Sequence, residues 1–453
     1  MSPTIREASF PSDEERRARG KAARRRAPFT GLGTWPRADT RRDALATLLA
    51  QNATRVPELL PLRHGRMAAS PWTYLRGAAA VMAGDLAAAP NSGLEVQLCG
   101  DAHVLNFGLW ATPERNLSFD LRDFDETLPG PFEWDVQRLA VSLVVVARHN
   151  GLKPAVADDA IAAALRAYRR RMARYATAPQ MEIWYDSIYF DHLLNCFDED
   201  ARKRASKRIE KQRVRRTSRG AFEKLTDVVD GRRRIVENPP RLTHFDDPRR
   251  LEIVHEVYRK YAQTLQEDRR HCLANFAYVD TARQVVGVGS VGMRVHLLLL
   301  EGRGGGEPLF LQVKQAMPSV YERHLGASRY RNHGERVVNG KRLIQSATDI
   351  FVGWTTFAGM DFYVRQFRDM KIVPDSERIA PVLVEFASAC GEVLARSHAR
   401  TGDPAAIAGY IGKGRRFDEA MGAFARCYAD QTEQDHQQLV DAITAGMIPA
   451  EDG

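Results

Sequence analysis

The chain carries two carboxylates and an amide in an order that suits phosphoryl transfer. Asp101 and Asn106 lie five residues apart in the turn CGDAHVLNFG (99–108), and Asp123 follows in FDLRDF. Moving a phosphoryl group from ATP requires a carboxylate that accepts the proton of the attacking hydroxyl, and oxygen ligands for the Mg²⁺ that bridges the phosphates. These three residues supply such groups. The turn by itself is also compatible with local Asx-type hydrogen bonding.

A second group of residues, far along the chain, has the pattern of a phosphate-binding turn. Gly287, Gly289 and Gly292 form a G-x-G-x-x-G pattern, and Lys314 stands near the end of a strand twenty-two residues later. In a dinucleotide-binding fold such glycines open a helix. Here the following residues, RVHLLLLEG, are typical of a strand, and RGGGE is typical of a hairpin turn. We therefore expect the glycines to lie between two strands.

Together these motifs resemble those of the protein-kinase-like and aminoglycoside-phosphotransferase-like superfamily. The resemblance implies that Asp101 is the catalytic base and that His103 orders its loop. It also implies that Asn106 and Asp123 hold Mg²⁺, with Asp125 replacing or assisting Asp123. The chain departs from an ordinary kinase at two positions. It has no arginine before the proposed base and no glycine directly after the DF pair.

The same resemblance assigns residues to the nucleotide. The glycine turn would cover the phosphates through Gly287, Gly289, Ser290 and Gly292. Lys314 would pair with the α- and β-phosphates of ATP. The following helix offers Glu335 as the ion-pair partner of Lys314, and Glu322 stays open as a second candidate. Asp120 is a weaker third choice for the metal, after Asp123 and Asp125.

Several short segments extend the likeness over most of residues 60–440. They are RHGRMAASPWTYLRGAA, CGDAHVLNFG, FDLRDFDET, FEWDVQRLA, FLQVKQA, FYVRQFRDMK and HARTGD. They resemble the bacterial family called domain of unknown function 2252, whose biochemistry is not settled. The activity therefore has to be argued from the kinase-like residues themselves.

The two groups of motifs stand in the reverse of the usual kinase order. Asp101 comes more than 200 residues before Lys314, whereas the glycine turn and lysine of ordinary kinases precede the catalytic loop. The helix ending VLARSHARTGD resembles the one that normally runs into that loop, yet it lies near the C-terminus. We therefore expect a circularly permuted arrangement, which chains with neighbouring ends tolerate.

The expected fold is α+β and kinase-like, with a small antiparallel-sheet lobe and a larger, mainly helical lobe. The clearest predicted helix is Ile379–His398, whose apolar residues follow i, i+3, i+4 spacing. We expect five regions along the chain. They are an N-terminal helical region (1–93) with its first residues disordered, the catalytic-loop part of the large lobe (94–190), a basic helical insertion or linker (191–275), the small nucleotide-binding lobe (276–372) and C-terminal helices that complete the large lobe (373–453).

Composition and charge narrow the class of protein. The 453 residues are 44% apolar, but no run approaches the roughly 18 apolar residues of a membrane span, and the N-terminus lacks a secretory signal. We expect a cytoplasmic protein without a membrane partner.

The five scattered cysteines disfavour a disulfide framework and a zinc site. The net charge of +9 is concentrated at 16–26 and 201–220, and the second run lacks the aromatic residues of a single-strand binding surface, which disfavours nucleic acid as a partner.

The function expected from these residues is phosphotransfer that depends on ATP and Mg²⁺. The acceptor would be a hydroxyl of an unidentified compound, and the DFDE and EWD segments favour a small molecule over a protein. Two alternatives stay open. The same fold could transfer AMP, since the same groups bind the same phosphates, or the chain could be a catalytically silent nucleotide-binding or scaffold protein. The presence of a base, metal ligands, glycines and a lysine argues against the silent alternative.

Overall fold

The structure is a computed structural model that describes most of the chain. The described residues are 11–35, 41–194, 199, 202–203, 206–207, 218–244, 247–303, 306–367, 370–372 and 374–451. The expected disorder of the first residues and most of the basic run 201–220 lie outside these ranges.

The described helices fall mainly in the first half and the last fifth of the chain. In the first half they are α1 (Asp13–Ala23), α2 (Phe29–Gly33), α3 (Ala44–Ala50), α4 (Leu60–Ala68), α5 (Pro71–Gly77), α6 (Ala79–Ala87), α7 (Phe132–His149), α8 (Pro154–Tyr175), α9 (Gln180–Tyr185), α10 (Phe190–Leu194) and α11 (Ser218–Leu225). The later ones are α12 (Arg250–Ala262), α13 (Glu267–Leu273), α14 (Glu322–Leu325), α15 (His333–Ile344), α16 (Ser376–Ile379), α17 (Leu383–Thr401), α18 (Pro404–Ile411) and α19 (Arg416–Thr444). Short 3₁₀ turns occur at Gln51–Thr54, Pro57–Leu59, Val104–Asn106, Val288–Ser290 and Ala380–Val382.

The described strands are short in the first part of the chain and longer after residue 276. They are β1 (Glu95–Leu98), β2 (Phe107–Ala111), β3 (Leu117–Leu121), β4 (Leu128–Pro131), β5 (Thr226–Val229), β6 (Arg232–Ile235), β7 (Leu242–Thr243), β8 (Phe276–Gln284), β9 (Val295–Gly302), β10 (Pro308–Ala316), β11 (Gly353–Phe357) and β12 (Met360–Gln366). Six of them form one antiparallel sheet in the order β11–β12–β10–β9–β8–β7. The pairs β1–β4, β2–β3 and β5–β6 are separate two-stranded sheets.

Both faces of the six-stranded sheet are covered, which explains why β9 and β10 are almost continuously apolar. On one face the leucines of β9 and β10 pack against α12 and the turn after it, in a cluster that includes Leu298, Leu300, Leu309, Leu311, Tyr261 and Leu265. On the other face the alternate residues pack against α11, β6 and β7, through Leu297, Leu299, Phe310, Ala221, Ile235 and Leu242. The small antiparallel lobe expected at 276–372 therefore includes elements that precede residue 276.

The stretch 191–275 differs from the expected helical insertion. Its described part contains the hairpin β5–β6 and the edge strand β7 as well as helices. The turn of the hairpin is Asp230–Gly231, and both residues have positive φ angles, 50° and 71°. An Asp-Gly pair adopts this conformation readily, so it favours a two-residue hairpin over a continuous helix.

The predicted helix Ile379–His398 is present but begins later than expected. Residues 380–382 form a 3₁₀ turn, and the α-helix α17 runs from Leu383 to Thr401. Pro381 explains the delay, because proline lacks the backbone N–H that a helix interior requires. The predicted apolar face is confirmed at Leu383, Ala387 and Cys390, which are at most 2% exposed.

The larger part of the molecule is a helical core around α7, α8, α17 and α19. Its largest apolar cluster joins these helices to β1, β2 and β3. Within the described ranges, no helix combines the length and apolarity needed to cross a membrane. Four cysteines are described, and all four are free thiols, as expected; Cys196 lies outside the described residues. Mixed α and β structure with small antiparallel sheets is therefore confirmed.

Candidate active site

A cavity of about 510 Å³ lies where the helical part meets the six-stranded sheet. Four parts of the chain line it, one of which is the segment 317–324 after β10. The acidic wall consists of Asp101, Asp123, Asp125 and Glu126, and the glycine turn contributes Gly289 and Ser290. The third part comes from the N-terminal helices and includes Arg55 and Arg76. The cavity therefore brings together the two groups of motifs that the sequence separates.

The turn that carries Asp101 is fixed by a buried carboxylate behind it. Asp135, at the start of α7, accepts hydrogen bonds from the backbone N–H groups of Cys99 (2.7 Å) and Gly100 (3.0 Å). Gly100 has φ +87°, and a Cβ atom there would lie 2.3 Å from the carbonyl oxygen of Glu126. Because a side chain does not fit, this glycine is required where an ordinary kinase has an arginine.

The Asp101 side chain faces the cavity with one oxygen held from behind. Arg138 on α7 donates from Nε to its Oδ1 at 2.9 Å and from Nη2 to the carbonyl of Leu75 at 2.6 Å. Burial raises the pKa of Asp101, and the positive charge of Arg138 opposes that shift. Of the two carboxylate oxygens, Oδ1 is therefore the one that Arg138 holds.

His103 lies next to Asp101 but does not bond to its carboxylate. Its Nε2 is 3.8 Å from Oδ2 of Asp101, beyond hydrogen-bond range. The ring is 3% exposed and packs edge-on against Trp72, with centroids 5.7 Å apart. Burial holds the pKa of His103 well below its usual range. A neutral, packed ring agrees with the predicted role of ordering the loop.

Asp123 has the features of an anionic metal ligand. Its Oδ1 is buried and has no hydrogen-bond partner among the described residues. Burial raises its pKa, but the charges of Lys314, Arg365 and Arg122 outweigh burial, so the pKa lies below its ordinary value. The result is an ionised carboxylate with an unsatisfied oxygen, which a cation can satisfy.

The Asn106 side chain is 2% exposed and is oriented by the backbone of the base. Its Nδ2 donates to the carbonyl of Asp101, which leaves the amide oxygen as the group able to hold a metal. Within the described ranges no group of three or more His, Cys, Asp or Glu residues is placed to hold a metal ion alone. Mg²⁺ does not need one, because it binds through one or two carboxylates plus substrate phosphates. Asp123, which lines the cavity, fits that requirement, whereas Asn106 is not among the lining residues.

Asp120, the third choice for the metal, has a structural environment instead. It is fully buried, forms an ion pair with Arg396 on α17, and accepts from the backbone N–H of Ser346 at 2.8 Å. It does not line the cavity. Its carboxylate ties β3 to α17 and to the residues after α15.

Lys314 and Asp125 form the contact that joins the two groups of motifs. The Nζ atom of Lys314, on β10, pairs with Oδ2 of Asp125, and the Tyr363 hydroxyl, on β12, donates to Oδ1 at 2.9 Å. Lys314 is 3% exposed. Burial lowers its pKa, but the negative charge of Asp125 outweighs burial and the pKa lies above its ordinary value. Both oxygens of Asp125 are thus engaged, so in this structure Asp125 is the partner of the lysine rather than an available metal ligand.

The structure brings neither predicted glutamate to Lys314. Glu322, on α14, accepts from the Ser319 N–H at 3.0 Å and lies 3.7 Å from Arg336 and from His333. The Glu335 backbone N–H donates to the side chain of Asn332, which caps α15. The described ion pair of Lys314 is with Asp125, because Asp125 reaches β10 directly from the acidic wall of the cavity.

The glycine turn lies between β8 and β9, as the sequence predicts. It contains one 3₁₀ turn, and Gly292 has φ +86°. Arg55 holds it from outside, donating to the carbonyls of Gly289 (3.1 Å) and Val291 (2.5 Å). The N–H of Val56 donates to the Gly292 carbonyl at 2.8 Å. The N-terminal region therefore anchors the turn.

Comparison with known proteins gives one match. A family model described as "Uncharacterized protein conserved in bacteria (DUF2252)" matches residues 55–442, which is most of the chain. The chain belongs to this family. No curated protein and no solved structure matches it.

The matched DUF2252 region begins at Arg55. It contains site residues that the sequence motifs do not indicate. They are Arg55, Arg76, Glu126, Arg138 and Arg336. Glu126 accepts from the Val320 N–H at 2.7 Å, and burial raises its pKa to about 7. Arg336 donates to the backbone carbonyls of Asp125 (2.8 Å) and Thr127 (2.7 Å). These contacts join residues far apart in sequence, so local spacing does not signal them.

Proposed function

We propose that this chain is a phosphotransferase that uses ATP and Mg²⁺ and acts on a hydroxyl group of a small molecule. One observation carries the proposal. Lys314 from the six-stranded sheet contacts Asp125, and Asp125 lines one cavity together with Asp101, Asp123 and the glycine turn. Acids and glycine backbone around one cavity, with a lysine paired to one of those acids, are the groups that phosphoryl transfer from ATP requires.

The order of elements in the sheet supports the same proposal. The glycine turn joins β8 to β9, Lys314 lies on β10, α15 follows, and β11 and β12 close the sheet. This is the sequence of elements that the kinase-like resemblance implies for a small lobe. The end of α17 supports the permutation, because Thr401 Oγ1 accepts from the N–H of Gln97 at 3.0 Å. The helix thus ends beside the strand that leads into the Asp101 turn.

Each residue of the site has a role in this proposal. Asp101 accepts the proton of the acceptor hydroxyl, and Asp135 with Arg138 holds it in place. Asp123 and the amide oxygen of Asn106 would hold Mg²⁺, which neutralises phosphate charge when bound. Lys314 would shift from Asp125 toward the α- and β-phosphates when ATP binds.

The test labels the α-phosphate and the γ-phosphate of ATP in separate reactions. Purified protein is incubated with Mg²⁺ and either γ-labelled or α-labelled ATP, with a cell extract freed of macromolecules as the source of acceptors. Transfer or release of the γ-label supports the proposal. Incorporation of the α-label would instead show AMP transfer, and neither product, together with no thermal stabilisation by millimolar MgATP, would refute both.

The Asp101→Asn variant tests the assigned base. It keeps the shape of the side chain but cannot accept the proton, so we expect turnover to fall by roughly 10²–10⁴-fold with ATP affinity nearly unchanged. Asp159→Asn is the matched control, because Asp159 is exposed on α8. Equal rates for the two variants would remove Asp101 from the mechanism.

A further inference from the structure

Besides Arg55, the N-terminal helices bring a second arginine, Arg76, to the cavity beside the glycine turn. The kinase-like motifs do not account for it. Arg76 is the next-to-last residue of α5 and lines the cavity. A Cβ atom on Gly289 would lie 3.0 Å from the Arg76 carbonyl oxygen, and one on Gly287 would lie 3.8 Å from its Nη2. The Arg76 backbone therefore lies against the glycine turn at Gly289, and its guanidinium lies beside Gly287.

The surroundings of this guanidinium favour binding of an anion. Its Nε is buried and has no hydrogen-bond partner within the described ranges. It lies 5.8 Å from the centre of the Trp72 ring, which is itself 2% exposed and fixes its position. Asp101 and Asp123 are the acids whose charge acts on it, opposing the effect of burial on its pKa. Arg76 thus lines the same cavity as the glycine turn, the proposed base and the proposed metal ligand.

Arg55 has a different environment, although it lines the same cavity. Its guanidinium is already engaged by the carbonyls of Gly289 and Val291. Those bonds fix the shape of the turn and leave less of the group for a substrate. Both arginines have a buried Nε without a hydrogen-bond partner within the described ranges. The acids whose charge acts on Arg76 are Asp101 and Asp123, the proposed base and metal ligand, whereas those that act on Arg55 are Glu126 and Asp125.

We propose that Arg76 binds the phosphoryl group that is being transferred and neutralises its charge in the transition state. This inference rests on the proposed phosphotransferase function. In the step, the bond between the γ-phosphorus and the oxygen that bridges it to the β-phosphorus breaks. A bond from the acceptor oxygen to phosphorus forms, the hydroxyl proton passes to Asp101, and ADP leaves. The planar fork of arginine suits the equatorial oxygens of the phosphoryl group.

The expected size of the effect comes from arginines that act in this way in other phosphotransfer sites, which contribute about 10³–10⁵ in rate. An arginine that acts on the transition state should affect binding of a transition-state mimic far more than binding of product. The helices before residue 90 would then belong to the catalytic site rather than forming a separate appendage.

The experiment measures binding of MgADP by calorimetry, with and without aluminium fluoride, which mimics the phosphoryl group in flight. For wild type we expect tighter binding when fluoride is added. For Arg76→Ala we expect ADP affinity within about threefold of wild type and a loss of the fluoride-dependent gain by on the order of 100-fold or more. Arg166→Ala, at an exposed position of α8, should behave as wild type.

A second variant protects the test against misfolding. If Arg76→Ala has lost its thermal transition, Arg76→Lys is used, and it should bind ADP while losing at least about tenfold of the fluoride gain, since lysine lacks the fork. Retention of the full gain by the folded variant would overturn the role of Arg76. A wild type that binds ADP without any gain from fluoride would also overturn it. A wild type that binds neither probe would refute the proposed function itself.

Discussion

The contact between Lys314 and Asp125 can be tested without knowing any substrate. The two side chains are 4% and 19% exposed, and they lie 189 positions apart in the sequence. Removing one partner of a buried ion pair typically costs about 3–5 kcal/mol, because the other charge is left without compensation. We expect Lys314→Met and Asp125→Asn each to lower the free energy of unfolding.

The size of each effect follows from the remaining neighbours. After Lys314→Met, the hydroxyl of Tyr363 still donates to Asp125 at 2.9 Å, so the cost should be near the lower end, about 3 kcal/mol. After Asp125→Asn, the charge of Asp123 still acts on Lys314, which again limits the loss to about 3 kcal/mol. The double variant buries no unpaired charge and should lose about 4 kcal/mol, which gives a coupling energy of about 2 kcal/mol.

Urea unfolding at neutral pH, followed by circular dichroism without nucleotide or Mg²⁺, measures these energies. Lys153→Met and Asp159→Asn provide a control cycle, because both residues are exposed near the start of α8, and their effects should add within about 0.5 kcal/mol. If the Lys314 and Asp125 effects also added within that margin, the two side chains would not be paired, and the proposed site would lose its central contact.

Two further predictions concern the walls of the cavity. The pKa of Glu126 is raised from 4.5 to about 7, so the folded state binds this proton more tightly than the unfolded state; the stabilisation is complete below pH 4.5 and is lost as the pH rises through about 7. The difference in unfolding free energy between Glu126→Gln and wild type should therefore grow in favour of the variant by about 3 kcal/mol from pH 4.5 to pH 8. Urea titrations measure it, and a difference independent of pH would contradict the raised pKa of Glu126. Gly100→Ala should destabilise the fold by more than 2 kcal/mol and abolish turnover, because its Cβ would lie 2.3 Å from a carbonyl oxygen. The control is Gly151→Ala, where φ is +66° but no atom lies within 4 Å; it should cost about 1 kcal/mol and retain activity. Equal losses of stability in the two variants would contradict the steric explanation.

Local sequence patterns predict most of the helices and strands near the site. The apolar face of α17 is buried as its spacing indicates, and the glycine turn lies between two strands. The start of α17 was misplaced because the i, i+3, i+4 pattern continues through Pro381, whose missing N–H the pattern does not register. The hairpin at 226–235 was also missed, although its Asp230–Gly231 turn is a recognisable hairpin signal.

The candidate site was predictable where its residues form motifs and not where they act through distant contacts. Asp101 and Asp123 were found because their spacing has a chemical meaning. Arg138 holds Asp101 from α7, and no spacing rule connects an arginine on one helix with a carboxylate thirty-seven positions earlier. The partner of Lys314 was missed for the same reason, since Asp125 precedes it by 189 positions.

The reversed order of the motifs is physically reasonable because the same neighbours meet whichever part of the chain comes first. Thr401, at the end of α17, accepts from the N–H of Gln97, and His398 lies 3.4 Å from the Asp135 carboxylate that holds the turn. These two contacts hold the end of α17 against β1 and α7, so the position of the Asp101 turn depends on packing between α17 and α7. In the permuted fold proposed above, they stand where a chain of the ordinary order would have a covalent link. His398 and Asp135 are at most 1% exposed, so this packing is buried.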